Sequence, residues 1–101
     1  MAMTPEGKVK KKVIELLKEL NIFYFMPVNN GMGVMGVSDI ICCSHGLFIA
    51  IECKAGKGKT TALQDRFLAS VEDHGGFGFV VNENNIDALK ERLIWLLAKK
   101  N

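Results

Sequence analysis

The chain has 101 residues, which is enough for one domain over 1–101 with a single hydrophobic core and too few for two domains. Its 49% hydrophobic and 24% charged residues exclude a disordered or fibrous protein, and its net charge of +2 is too small to indicate a nucleic-acid partner by itself. No apolar run reaches the roughly 20 residues that cross a bilayer, and no secretory leader opens the sequence. We therefore expect a cytoplasmic protein without a membrane partner.

The first part of the chain predicts a helix and then a short strand. Thr, Pro and Glu at positions 4–6 are typical of a helix start, and apolar residues then recur at helical spacing up to Asn21, where we expect the helix to end. The apolar and aromatic run over 22–26 favours a strand, which Pro27 closes. The glycine-rich stretch 29–36 is expected to be a loop.

That loop contains the pattern G-x-G-x-x-G at Gly31, Gly33 and Gly36. In dinucleotide-binding proteins this pattern lies between a strand and the helix whose N-terminus holds the pyrophosphate. Here the segment 38–43 follows, and its isoleucines and cysteines favour a strand. A dinucleotide site is therefore not predicted.

Three cysteines, Cys42, Cys43 and Cys53, make an odd number, and the first two are neighbours in an apolar run. A disulfide framework is not expected from this pattern. Together with His45 they could be considered as zinc ligands, but alternation along a strand sends the two adjacent cysteines to opposite faces. We do not predict a zinc site.

The second part of the chain predicts two strands and two helices. Their expected positions are a strand at 47–54 after a turn at 44–46, a helix from Thr60 or Thr61, a strand at 77–81, and a helix from Asn84 or Asn85. Thr61 and Gln64 have the spacing of a capping box, and Gly75 lies beyond the end of that helix. The order αβββαβα predicts an α/β fold with a central sheet flanked by helices.

The two strands around the turn carry a pair of acids. If the turn at 45–46 is a two-residue loop, counting outward along both strands places Asp39 directly opposite Glu52. Directly opposed residues have Cβ atoms about 4.5 to 5.5 Å apart, so two carboxylates there repel each other unless a positive charge compensates. Lys54 lies two positions beyond Glu52 and therefore on the same face.

A divalent cation between the two acids would complete this arrangement, which suits phosphodiester hydrolysis. Lys54 could orient the attacking water or stabilise developing negative charge, and the sequence leaves both roles open. The pattern alone is also compatible with solvated polar strand ends. A loop longer or shorter by one residue would shift the pairing and separate the acids.

These residues resemble the motif of the PD-(D/E)XK nucleases. Gly-Val-Ser-Asp at 36–39, Ile-Glu-Cys-Lys at 51–54 and Gln64 on the next helix match it in order and spacing. Within that superfamily the chain is similar to the VRR-NUC group, the virus-type replication-repair nucleases, and especially to its short stand-alone phage members. The resemblance covers nearly the whole chain, and it implies a restriction-endonuclease-like core with a mixed sheet, in a phage or prophage protein of a bacterial host.

By this resemblance, Asp39 and Glu52 would bind Mg²⁺ or Mn²⁺, and the backbone carbonyl of Cys53 would complete the inner shell of ligands. Lys54 would act beside the water that attacks the phosphate, and Gln64 would support the site from its helix. These implied roles make the protein a Mg²⁺-dependent endodeoxyribonuclease. The alternative is a catalytically inactive DNA-binding module of the same fold.

Two positions carry a second interpretation, and a third departs from the family pattern. Glu6 matches the family's helix-borne acid, which helps to hold a metal directly or through water, but a first-turn acid is also favoured by the helix dipole. Gln64 is also the capping-box partner of Thr61, and the two roles are compatible. Ser38 replaces the proline that usually precedes the metal-binding aspartate, so the position of Asp39 is less firmly fixed.

Basic residues form two clusters, one on the first helix and one in the loop after 47–54. We expect the clusters to flank one groove and to contact DNA phosphates, although basic residues on a helix face and in a loop are also typical of a solvated surface. The expected phosphate contacts are Lys8, Lys11, Lys12, Lys57 and Lys59.

The resemblance further implies branched DNA as substrate, such as four-way (Holliday) junctions, cut by a homodimer. The last helix is apolar on every side over 93–97, which predicts either unusual burial or a subunit interface, and we favour the interface. Met32, Val34 and Met35 in the glycine-rich loop would extend it. A sequence-specific nuclease of the same superfamily is a further alternative, but the chain is too short for a recognition domain.

Overall fold

Seven elements follow one another in the predicted order αβββαβα in a computed structural model, which describes residues 3–28 and 33–100. They are α1 (Pro5–Glu19), β1 (Phe23–Phe25), β2 (Ile40–Ser44), β3 (Leu47–Cys53), α2 (Ala62–Asp73), β4 (Phe77–Val81) and α3 (Ile86–Lys100). The predictions that concern Gly31 and Met32 lie outside the described residues.

Local capping fixes both ends of α1. The hydroxyl of Thr4 accepts the backbone N–H three residues on, at 3.0 Å, as the Thr-Pro-Glu start predicted. At the other end Asn21 takes a left-handed conformation with φ of 56°, and the N–H of Ile22 donates to the carbonyl of Leu17 at 2.9 Å. Because Ile22 still closes the helix, β1 is shorter than the predicted strand over 22–26.

The four strands described form one mixed sheet in the order β1-β2-β3-β4. The pairs β1–β2 and β2–β3 are antiparallel, and β3–β4 is parallel because α2 connects them as a crossover. α1 and α3 pack with one face of the sheet to form the core, while α2 covers β3 and β4 from the opposite face. The predicted α/β architecture with a mixed sheet between helices is confirmed.

The turn at 45–46 sets the register of the β2–β3 hairpin. Both of its residues have positive φ, 51° and 82°, which is the combination of a type I′ turn whose twist matches that of paired strands. The ladder that follows pairs Ser44 with Leu47 and Ile40 with Ile51. The predicted two-residue loop and its register are confirmed.

The loop before β2 is held against the first turn of α2. Gly36 has φ of 74°, and a Cβ atom there would lie 2.3 Å from the carbonyl oxygen of Leu63, so only glycine permits this approach. The chain passes from this contact into the sheet at Ile40. Ser38 and Asp39 therefore precede β2, and the predicted strand start at position 38 is wrong by two residues.

Most of the apolar surface of α3 is buried within the chain. Leu93 and Leu96 are buried in the core, whereas Ile94 and Trp95 remain about half exposed. The apolar run therefore needs no second subunit for most of its length. Met35 is exposed as well, but it borders α2 on the opposite face of the sheet and does not extend this surface. Within the described ranges no helix has the length and apolar character to cross a membrane.

Candidate active site

The two predicted acids lie at the end of the β2–β3 hairpin that is remote from its turn. Ile40 and Ile51 are the last pair of the ladder, and one further step along both strands places Asp39 opposite Glu52. The backbone N–H of Cys53 donates to the Asp39 carboxylate at 2.9 Å and so ties the residue before β2 to the end of β3. The structure therefore brings these acids together as the hairpin register predicted.

Glu52 is a buried carboxylate with an exposed fraction of 1%. Its Oε2 atom accepts a hydrogen bond from Nε2 of Gln64 at 3.1 Å and lies 3.6 Å from Nζ of Lys54. Its Oε1 atom has no hydrogen-bond partner among the described residues. A buried carboxylate oxygen without a donor is costly, so a positive group at this place would be stabilising.

The surroundings of Glu52 shift its protonation. Burial first, and then the nearby carboxyl group of Asp39, raise the pKa of Glu52 from 4.5 to about 7, against the opposing effect of Lys54. Near neutral pH the metal-free protein is therefore a mixture of protonated and ionised Glu52. Shifted carboxyl groups of this kind are typical of functional sites.

Lys54 lies where alternation along β3 predicted it. Its backbone N–H donates to the carbonyl of Val81 at 2.8 Å, so the neighbouring strand β4 fixes the point at which the chain leaves β3. Its side chain is largely buried, at 14% exposure, and its ammonium faces the carboxylate of Glu52. The backbone from which this amine extends is therefore fixed by the sheet.

Gln64 makes contacts that fit both of its interpretations, the capping box and the support of the site. Its Oε1 atom accepts the backbone N–H of Thr61 at 2.9 Å, and its own N–H donates to the Thr61 hydroxyl, which completes the capping box of α2. This fixes the orientation of the amide group, because Nε2 is then directed away from the cap and donates to Glu52. One side chain thus starts the helix and positions a carboxylate of the site.

Lys10 joins the site although the sequence assigned it no role there. Its Nζ atom lies 3.9 Å from Oδ1 of Asp39, and its charge also acts on the buried thiol of Cys53. The sequence did contain a signal, since Lys10 follows Glu6 by four residues and therefore shares its face of α1. A basic residue one turn after a candidate site acid can reach the same site.

Glu6 lies in the first turn of α1, and its charge is among the causes that raise the pKa of the Cys53 thiol. It is therefore close to the site. Over residues 3–28 and 33–100, however, no three His, Cys, Asp or Glu side chains form a metal-binding group. Direct ligation by Glu6 beside Asp39 and Glu52 has no support from these positions, and contact through water stays a prediction.

The residues present nevertheless fit a small hard cation. Mg²⁺ keeps several of its waters and is commonly bound by only one or two carboxylates together with substrate phosphate oxygens. Asp39 and Glu52 supply two carboxylates, the Oε1 atom of Glu52 has no partner within the described chain, and the backbone carbonyl of Cys53 follows Glu52 directly in sequence. A cation bound here would also relieve the repulsion that raises the pKa of Glu52.

The cysteines do not form a second metal site within the described ranges. Cys42 and Cys53 are buried and Cys43 is exposed, so the two neighbours point to opposite faces of β2 as predicted. Burial raises the pKa of the Cys42 and Cys53 thiols to about 12, and this keeps them protonated. His45 lies in the exposed hairpin turn. Structural packing explains the buried thiols.

The candidate DNA-contacting lysines only partly share one groove. A groove of about 590 Å³ runs along α1, and its lining includes Lys8, Lys11 and Lys12 on one side and Ala55 from the loop after β3. Lys57 and Lys59 are exposed further along that loop and are not among the lining residues. The two basic clusters are therefore neighbours, with the α1 cluster alone inside the groove.

The carboxylate of Glu83, which the sequence did not single out, holds the loop after β3 in place. Both carboxylate oxygens of Glu83, from the loop after β4, accept the backbone N–H of Gly56, at 2.8 and 3.2 Å. Gly56 has φ of 57°, which glycine adopts without strain. Glu83 and Ala55 both line the groove, so this contact shapes its wall.

No protein-family model and no protein of curated function matches the chain. The resemblance to the VRR-NUC nucleases therefore depends on the motif residues and on their spacing. The geometry adds that Asp39, Glu52, Lys54 and Gln64, which are spread over 26 positions of sequence from 39 to 64, meet at one end of the sheet. Family membership and activity stay predictions.

Proposed function

We propose that the protein is a Mg²⁺- or Mn²⁺-dependent nuclease that hydrolyses phosphodiester bonds in DNA. The observation that carries the proposal is the meeting of Asp39 and Glu52 at the end of one hairpin, with a Glu52 oxygen that lacks a partner among the described residues and the ammonium of Lys54 beside it. Two carboxylates and an amine in this arrangement suit phosphodiester hydrolysis, in which a cation held by the acids polarises the phosphate.

Each residue has a defined task in this proposal. Asp39 and Glu52 hold the cation with the carbonyl of Cys53, and Gln64 keeps the Glu52 carboxylate in its binding orientation through the 3.1 Å hydrogen bond. When bound, the cation supplies positive charge to the phosphate and lowers the pKa of a water ligand. Lys54 orients that water or stabilises the charge that develops on the phosphate.

Binding of DNA is assigned to the lysines near the site. Three lysines of α1 line the groove within one turn and a half of helix, beside Glu15 and Glu83, and Lys57 and Lys59 add positive charge from the neighbouring loop. Contacts of this kind bind phosphate without reading sequence, so affinity should fall steeply as salt concentration rises. Phosphate contacts of this kind agree with a nuclease that selects DNA by its shape and not by its base sequence.

Branched DNA and a homodimer complete the proposal, on the resemblance to the stand-alone phage nucleases. A two-fold dimer would present one site to each of two strands, as symmetric incision of a four-way junction requires. The exposed pair Ile94 and Trp95 on α3 is the part of that helix available to a partner. Arg92 and Lys99 stack on the ring of Trp95, at 4.7 and 5.0 Å from its centroid, so this patch has a cationic border.

The test is incubation of the protein with linear duplex, flap and four-way junction DNA in Mg²⁺, in Mn²⁺ and in chelator, with the molar mass in solution measured at the same concentration. Cleavage of branched DNA that requires the cation, by a protein of about twice the monomer's 11.2 kDa, is the expected result. Binding without cleavage in either cation would instead identify an inactive DNA-binding module.

The two roles of Gln64 can be separated with a matched pair of variants. Thr61→Ala and Gln64→Ala both break the capping box, and each should lower the free energy of unfolding by about 1 kcal/mol. Only Gln64→Ala also removes the donor to Glu52, so it alone should slow cleavage, by about tenfold, when rates are measured at saturating DNA. Equal rates in the two variants would limit Gln64 to helix capping.

A further inference from the structure

A cavity of about 330 Å³ opens directly beside Asp39 and shares no lining residue with the basic groove. Its lining includes Lys10 from α1, Pro27 after β1, and Val34 and Ser38 from the loop before β2. It is more enclosed than the basic groove described above, and its volume falls at the lower end of the roughly 300 to 1,000 Å³ that small-molecule sites occupy. None of the roles proposed above uses this cavity.

Lys10 gives the cavity a positive charge, and its ion pair with Asp39 is a long one. Its Nζ atom is 3.9 Å from Oδ1 of Asp39, whereas a charge-assisted hydrogen bond is about 2.7 to 2.9 Å long. The ammonium therefore remains able to bind a second anion. Asp39 itself repels an anion, so binding there is expected only when a divalent cation neutralises the carboxylates.

The remaining walls suit the organic part of a nucleotide. Met26, Pro27 and Val34 supply apolar surface against which a sugar or base can pack. Ser38 is 2% exposed, and its hydroxyl has no hydrogen-bond partner among the described residues. Such a group has an unmet capacity that an oxygen or nitrogen of a ligand can satisfy after a small adjustment.

We propose that this cavity is the subsite for the nucleotide next to the phosphate that is cut, and that Lys10 binds the phosphate group of that nucleotide. The proposal rests on the proposed nuclease function, because it is the acid pair that makes the neighbouring phosphate the reactive one. It adds Lys10 to the proposed site and assigns one nucleotide of the DNA strand to this cavity. It also predicts that a free mononucleotide binds there as a product does.

The probe is thymidine 5′-monophosphate, whose binding is measured calorimetrically with Ca²⁺ in place of Mg²⁺ so that no cutting interferes. Lys10→Met should weaken binding by about tenfold or more, since it removes a charged partner of the phosphate, while Lys10→Arg should retain most of it. Lys18→Met is the matched control, because it removes an exposed lysine of α1 that does not line the cavity. It should bind as the unmodified protein does.

A second variant tests the cavity without altering charge. Val34→Trp places a large ring at its wall from an exposed position, so it should exclude the nucleotide while Lys10 remains. No binding of the mononucleotide by the unmodified protein in Ca²⁺, or equal binding by Lys10→Met and Lys18→Met, would overturn the subsite. Lys10-dependent binding in a protein that cuts no DNA would support a nucleotide site in this cavity and refute the nuclease, so failure of the cavity and failure of the nuclease give different results.

A dye-labelled thymidine pentanucleotide distinguishes a strand from a free nucleotide. If the subsite serves DNA, Lys10→Met should weaken binding of the pentanucleotide in Ca²⁺ by about the same factor as binding of the mononucleotide. If Lys10→Met weakens binding of the mononucleotide but leaves binding of the pentanucleotide unchanged, the cavity does not lie next to the phosphate that is cut. Unfolding in urea, followed for each variant, reports whether the fold is intact.

Discussion

Replacing Glu52 with Gln is expected to stabilise the metal-free protein by about 3 kcal/mol at pH 8, although it removes a central residue of the site. Ionised Glu52 is costly to bury, and that cost is expressed in its pKa, which rises from 4.5 to about 7. A pKa that differs by one between the folded and unfolded protein corresponds to about 1.4 kcal/mol. Gln has the same shape, keeps an acceptor for Gln64, and can donate to Asp39 through its amide.

The sign of the pH dependence follows from the direction in which this pKa moves. The folded protein holds a proton on Glu52 more tightly than the unfolded chain does, so the stability that this proton confers is complete below pH 4.5 and is lost as pH rises through about 7. The unmodified protein should therefore become less stable between these values in chelator. Glu52→Gln should lack that part of the pH dependence.

Urea unfolding in chelator at pH 5 and pH 8 measures both effects. Glu91→Gln is the control, since Glu91 is exposed on α3 and its replacement should leave stability nearly unchanged. Adding Mg²⁺ should stabilise the unmodified protein and should leave Glu52→Gln unaffected, because a ligand stabilises only the state that binds it. If Glu52→Gln is no more stable than the unmodified protein at pH 8, burial of ionised Glu52 does not destabilise the fold.

A buried acid that destabilises the folded protein needs a reason outside folding. Glu52 has one oxygen without a partner among the described residues, a neighbouring acid, and an amine that only partly compensates for them. Replacement by a neutral residue of the same shape would relieve all of these at once. Sites that are costly in the absence of a ligand are typical of binding and catalysis, and this supports the proposed metal site.

Local chemistry made the hairpin register predictable from sequence. The turn at 45–46 allows few conformations, and once its length is known the opposition of Asp39 and Glu52 follows by counting. The caps of α1 and α2 were predictable for the same reason, because Thr4 and Thr61 act within three residues of themselves. Each of these features depends on neighbours in sequence.

Features that depend on packing between distant segments were not predictable in this way. Lys10 reaches Asp39 only because the fold brings α1 beside the residue before β2, and Glu83 reaches Gly56 across two loops. The sequence could not divide the apolar run of α3 between core and surface for a related reason, since such a run does not say which of its sides the core of the same chain covers. The sequence also could not reveal that the hydroxyl of Ser38 lacks a partner within the described ranges.

Lys54→Met is expected to slow DNA cleavage at saturating Mg²⁺ by a factor on the order of 10² to 10³, the usual effect of removing one donor from a reacting site. Its ammonium lies 3.6 Å from Oε2 of Glu52 and is largely withdrawn from solvent. Solvent therefore cannot compensate for the loss of its positive charge. Lys18→Met, which removes a lysine of the same charge from an exposed position on α1, should cut at the normal rate.

Lys54→Arg and the pH profile then distinguish the two roles left open for this residue. Lys54 lowers the pKa of Glu52, so Lys54→Met should move the rise of cleavage with pH, measured at low Mg²⁺, to higher pH, and Lys54→Arg should leave it in place. If Lys54 stabilises charge, Lys54→Arg should retain much of the maximal rate as well. If it orients the attacking water, the larger planar guanidinium should restore the pH profile without restoring the rate, because the position of the donor matters as much as its charge. Cleavage by Lys54→Met at the unmodified maximal rate, with its rise moved to higher pH, would contradict both roles and leave the lysine as a compensating charge for the acids alone.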